Sequence, residues 1–134
     1  MAEGHFIDKN SILKKIEERT GPPQGIFGCT VWLGGTWNFG RYGFLRNPFF
    51  KKSDNQPQRI GVHRLVYILN NLEKYPTGEL PQSLECSHLC HNSLCVNKNH
   101  IILEPGTVNN ERRSCKSQGH CTGSHGSNRP LCLL

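Results

Sequence analysis

With 134 residues, the chain has room for one domain, or for one core with an appended arm. Apolar residues make up 35%, with 14 glycines and 8 prolines, and mean hydropathy is −0.53. So thin a core calls for staples, and no apolar run approaches the ~20 residues of a membrane-spanning helix. A net charge of +6 excludes an acidic solvating chain and favours anionic partners.

Residues 8–20 carry Ile12, Leu13 and Ile16 at helical spacing and run into Gly21-Pro22-Pro23, which predicts a short amphipathic helix in an N-terminal arm, 1–24. The pattern then changes to short β-like pieces, Ile26-Phe27, Thr30 to Leu33, Trp37 to Phe39 and Tyr42 to Leu45, broken by glycines. Trp32 and Trp37 are expected in the core. Lys51 to Gln58 is polar and reads as a loop. His63 to Asn71 predicts a helix burying Leu65, Val66, Ile68 and Leu69, completing a unit of antiparallel sheet and helix, 25–82. Leu84 to His88 and His100 to Glu104 read as two strands, and Pro105 suits the first turn of a helix carrying Val108, Asn109, Arg112 and Arg113. The third unit, 83–134, is therefore strand, loop, strand, helix, and the fold class is α+β.

Six of the seven cysteines and five of the seven histidines fall between 86 and 132. Thiols alternating with imidazoles on short loops suit tetrahedral zinc, whereas disulfides need no histidines. The opening residues, Met1 to Asp8, have no apolar stretch behind a basic start, so a secretory leader is not expected either. One ligand set is Cys90-x4-Cys95-x4-His100, with Cys29 favoured as the fourth member and Cys86 as its competitor. The other is Cys115-x5-Cys121-x3-His125-x6-Cys132, where His120 is the alternative to Cys121. Four protein ligands close a site, so both ions are read as structural. His88 is left over, two residues before a ligand. His91 is read as structural.

The bases are unevenly placed. Arg41, Arg46, Lys51, Lys52, Arg59 and Arg64 are opposed between 41 and 64 only by Asp54. A charged run is ordinarily a solvated face; interleaved with Tyr42, Phe44, Phe49 and Phe50, this one reads as a DNA-binding surface on the sheet.

The run Cys86-Ser87-His88-Leu89-Cys90-His91-Asn92-Ser93-Leu94-Cys95-Val96-Asn97-Lys98-Asn99-His100, followed by Asn109 and Cys115, resembles the His-Cys box homing endonucleases of the His-Me finger (ββα-metal) nuclease superfamily. The resemblance covers 86–132, with Cys29 and the His63-Arg64 helix as looser anchors; it implies that His63 is structural and that Arg64 contacts a phosphate. It implies a small zinc-stapled ββα-metal fold with an antiparallel DNA-binding sheet. By the same resemblance His88 is the general base, Asn109 the protein ligand of a catalytic Mg²⁺, and an arginine of the basic sheet lies near the scissile phosphate, Arg46 ahead of Arg59 and Arg41. The expected activity is Mg²⁺-dependent cleavage of double-stranded DNA to 5′-phosphate and 3′-hydroxyl ends, with two structural Zn²⁺ and no membrane partner. A homodimer is the assembly that double-strand cleavage would call for. The expected location is intracellular, in the nucleus or wherever the DNA target lies. The alternative is a non-catalytic zinc-dependent DNA-binding module derived from a mobile element; a RING-type protein-interaction fold is a third reading.

Overall fold

A computed structural model describes residues 7–49, 59–121, 123, 125 and 129–133. Lys51, Lys52 and the loop read at 51–58 lie outside the described residues. The first helix, α1, is Lys9–Glu18; Asp8 caps it by accepting from the Ser11 backbone N–H, and Ile16 is its buried residue. Strands β1 (Thr36–Trp37), β2 (Tyr42–Arg46) and β3 (Arg59–Gly61) form one antiparallel sheet in that order. Helix α2 (Val62–Leu69) follows β3 directly. Strands β4 (Leu84–His88) and β5 (Ile101–Pro105) pair antiparallel, and α3 (Gly106–Gln118) completes the chain of elements.

Helix α2 is the centre of the core. Val62, Leu65, Val66 and Leu69 recur at helical spacing, Ile68 widens the stripe, and all five are buried. Each contributes about 1.5–3 kcal/mol relative to exposure. Ile16 of α1, Trp32, Ile60 of β3, Val96 and Ile101 of β5 close around that stripe. The packing thus joins the N-terminal helix, the first sheet and the β4–β5 hairpin on one helix. Among the described residues no helix is long and apolar enough to cross a membrane.

Five sequence expectations are corrected. Ile26 and Phe27 are exposed and belong to a turn, because Gln24 and Cys29 exchange backbone hydrogen bonds around them at 2.8 and 2.9 Å. Gly25 and Gly28, at φ +71° and +73°, supply the left-handed corners this turn requires. Asn38 and Phe39 are likewise turn rather than strand, both at positive φ, and Phe39 is fully exposed. Trp32 is core, with its Nε1–H donated to the Gly35 carbonyl at 2.9 Å. Trp37, by contrast, is half-buried and stacks on Phe44, ring centroids 5.5 Å apart. At the hairpin, Pro105 ends β5 and precedes α3, so the helix starts one residue later than read, and His100 sits in a short 3-10 turn before β5.

Candidate active site and two metal-ligating clusters

The segment 30–32 pairs with the loop between β4 and β5. Trp32 N–H donates to the Leu94 carbonyl and Val96 N–H to the Thr30 carbonyl, each at 2.8 Å. Asn97 Nδ2 adds a bond to the Gly28 carbonyl at 3.0 Å. This pairing delivers Cys29, at the end of its glycine-cornered turn, to Cys90, Cys95 and His100; the four ligand atoms lie within 4.8 Å of one another. Cys115, Cys121, His125 and Cys132 form a second group to the same criterion. Cys29 rather than Cys86 thus completes the first set, and Cys121 rather than His120 the second.

Both groups fit zinc. Bond lengths of about 2.3 Å to sulfur and 2.0–2.1 Å to nitrogen set tetrahedral edges of about 3.6 Å for S···N and 3.8 Å for S···S. In the first group His100 Nδ1 lies 3.6 Å from Cys29 Sγ and 3.4 Å from Cys95 Sγ. In the second, His125 Nε2 lies 3.4, 3.4 and 3.5 Å from the sulfurs of Cys115, Cys121 and Cys132, and Cys115 and Cys121 are 4.0 Å apart. Glu111 Oε2 lies 3.8 Å behind His125 at Nδ1. Three thiolates and an imidazole on Zn²⁺ carry one net negative charge. Arg112 answers it, donating Nη1–H to Cys132 Sγ at 3.4 Å while Nε and Nη2 grip the buried Glu104 carboxylate at 2.6 and 3.0 Å.

His88, Asn109, His63, Cys86, Arg41, Arg113 and Lys116 help to line a cavity of about 240 Å³. A roomier groove of about 550 Å³ runs along α1, but its charged groups are only Glu17 and Lys98, too few for acid-base work. His88 ends β4, and its Nε2 lies 2.9 Å from the Cys95 carbonyl oxygen. A carbonyl only accepts, so Nε2 carries the proton and Nδ1 keeps its lone pair. Burial holds the His88 pKa below the usual histidine value, against the pull of the Cys95 carbonyl, and His100 and His91 add to the lowering. Its neighbour His63, ring centroids 4.6 Å away, is pushed down to about 3, chiefly by burial and then by His88 and Arg64. Burial pushes the Cys86 thiol up to about 12, leaving it an uncharged wall.

His88, Asn109 and Arg41 therefore meet in one cavity. Arg41 follows the turn at Asn38 to Gly40, and Ser93 of the metal loop donates its hydroxyl to the Arg41 carbonyl, which holds this end of the β1–β2 hairpin over the cavity. Arg46 is not among the cavity's lining residues; it is exposed at the far end of β2, opposite Arg59. Arg59 lies over the Phe44 ring at 4.4 Å, and Arg64 lines an adjoining cavity with Asn109 and Arg113. His91 sits at φ +60° with its Nε2 buried and unpartnered, on the cavity wall. Arg113 and Lys116 received no role from the sequence. Their signal was present, since 109, 113 and 116 follow one face of α3.

Residues 40–134 match the zinc-binding loop region of homing endonuclease, and the chain belongs to that family. The fold is a small α+β arrangement of antiparallel strands and helices carrying two Cys₃His clusters. Neither the curated proteins nor the solved structures yield a match.

Proposed function

We propose that the chain is a metal-dependent DNA endonuclease in which His88 is the general base. The observation that carries this reading is the hydrogen bond from His88 Nε2 to the Cys95 carbonyl, which leaves Nδ1 basic in the cavity Asn109 also lines. Nδ1 takes the proton of a water as it attacks phosphorus, and the positive charge that develops on the ring is shared with the Cys95 carbonyl. Asn109 offers a carboxamide oxygen, a hard donor that suits Mg²⁺. When bound there, such a cation stabilises the charge of the pentacoordinate phosphorus and of the leaving 3′ oxygen. Arg41, Arg113 and Lys116 hold the phosphate by charge, and Arg41 replaces Arg46 as the arginine at the scissile group. Arg59 and Arg64 extend the basic surface along the sheet toward flanking phosphates. The two Cys₃His clusters hold structural Zn²⁺. Products carry 5′-phosphate and 3′-hydroxyl ends, one strand is cut per protomer, and two protomers are needed for a double-strand break. The protein works in the nucleus or whichever compartment holds its DNA.

Supercoiled plasmid with Mg²⁺ tests the reading. Relaxation or linearisation that disappears with EDTA is expected. Gel retardation with no cutting in any divalent cation would establish the non-catalytic DNA-binding module in its place.

A further inference from the structure

An asparagine side chain presents two opposite ends, and only its oxygen can hold a cation. Rotating the carboxamide by half a turn exchanges the two at almost no steric cost. In this chain Asn109 Nδ2 donates to Glu85 Oε1 at 2.9 Å. Glu85 lies on β4 and Asn109 on the first turn of α3, so this bond ties the strand that carries His88 to the helix that carries Asn109. The other carboxylate oxygen rests against the start of α3: a Cβ at position 106 would come within 2.8 Å of Glu85 Oε2, and Gly106 leaves that space open. Both oxygens are thus directed at the helix, and Glu85 shares an adjoining cavity with Asn109, Arg64 and Arg113.

We propose that Glu85 is a positioning residue for Asn109. A carboxylate accepts and cannot donate, so it holds the amide nitrogen and leaves Oδ1 as the atom free to meet a cation. Without it the carboxamide turns over, and its N–H groups repel the ion part of the time. This role rests on the endonuclease reading above. It concerns orientation rather than charge, and that distinction is testable because glutamine keeps an acceptor oxygen while losing the charge.

Wild type, Glu85→Ala and Glu85→Gln are compared in two measurements. The first is the Mg²⁺ concentration giving half-maximal plasmid relaxation. The second is the NMR signal of the Asn109 side-chain NH₂ pair in the full chain, with Mn²⁺ added as a paramagnetic probe. Loss of a residue that orients a metal ligand costs roughly 10–100-fold in metal affinity, so Glu85→Ala should raise the Mg²⁺ midpoint by roughly tenfold or more, with the rate at saturating Mg²⁺ near wild type. Its Asn109 NH₂ resonances should move toward those of an unbonded amide and be broadened less by Mn²⁺. Glu85→Gln should keep both the midpoint and the resonances. An unchanged midpoint in Glu85→Ala, unmoved Asn109 resonances, or a Glu85→Gln as impaired as Glu85→Ala overturns the positioning role. A wild type that cuts in no divalent cation overturns the endonuclease reading, and the positioning role falls with it.

Discussion

The Cys95 carbonyl decides which nitrogen of His88 is basic, and that contact comes from the loop that holds the first cluster. Replacing His88 by Ala should lower cleavage by roughly 10²–10⁴-fold, because a positioned base contributes about that much. Zinc content, folding and DNA affinity should stay near wild type; a variant that cuts normally would remove His88 from the chemistry. In the proposed mechanism the neutral ring is the active form, and burial keeps its pKa below the usual histidine value. Activity should therefore persist somewhat below the ~6.5 at which a free histidine is half protonated, then fall in more acidic buffer. A pH profile that already declines above neutrality would contradict this. His88 was legible in the sequence because its offsets to Cys90, Cys95 and His100 are local. Arg41 was not. It reaches the cavity through a Ser93 hydroxyl bonded to its backbone across 52 positions, and no periodicity records such a contact.

Helix α3 carries groups facing both ways: Asn109, Arg113 and Lys116 toward the cavity, Arg112 and Cys115 into the packed side. Arg112 is almost fully buried, holds Glu104 of β5 by two bonds, and reaches the Pro130 carbonyl at 3.0 Å as well as Cys132. Removing one partner of such a pair strands a buried charge, so Arg112→Ala should cost about 3–5 kcal/mol, measured as a shift in the denaturant midpoint. A loss below 1 kcal/mol would mean that Glu104 finds water. Strand β2 is constrained differently: a Cβ at Gly43 would come within 2.3 Å of the Trp32 ring. Gly43→Ala should then destabilise by about 1–3 kcal/mol through overpacking, again read from the denaturant midpoint. Helices α1 and α2 were readable from apolar spacing, and α3 from the proline before it. The short β-like pieces were not, because apolar letters such as Ile26-Phe27 look the same in a turn as in a strand, and only the hydrogen bonds between Gln24 and Cys29 distinguish them.

For the whole molecule, ions and protons act on one thin core. Zinc sites of this composition contribute an apparent ~10–16 kcal/mol, comparable to or above the 5–15 kcal/mol net stability of ordinary domains. Metal analysis should give two zinc ions per chain, and a strong chelator should unfold the protein cooperatively, as read by circular dichroism. A chain that stays folded without metal would overturn both cluster assignments. The His63 pKa is pushed down to about 3, while the unfolded chain's histidine binds a proton near 6.5. Between those values the unfolded state holds more protons, so stability should be intact above about 6.5 and decline as pH falls toward 3. His63→Phe should flatten that decline.

The pairing of residue 30 with residue 96 has a consequence for the order in which the molecule is made. Cys29 and His100 stand 71 positions apart, so a ribosome has completed α1, the first sheet and α2 long before the first ion can be clasped. Until the stretch from Cys90 to His100 emerges, Cys29 is a lone thiol, and the core around α2 lacks Val96 and Ile101, which arrive with the same stretch of chain. In the second cluster His125 is only 10 positions from Cys115 and 7 from Cys132, so its loop closes with little entropy lost. Nascent chains halted shortly after residue 90 should thus be readily cut by protease. Resistance should appear in one step, when the whole β4–β5 hairpin has left the exit tunnel.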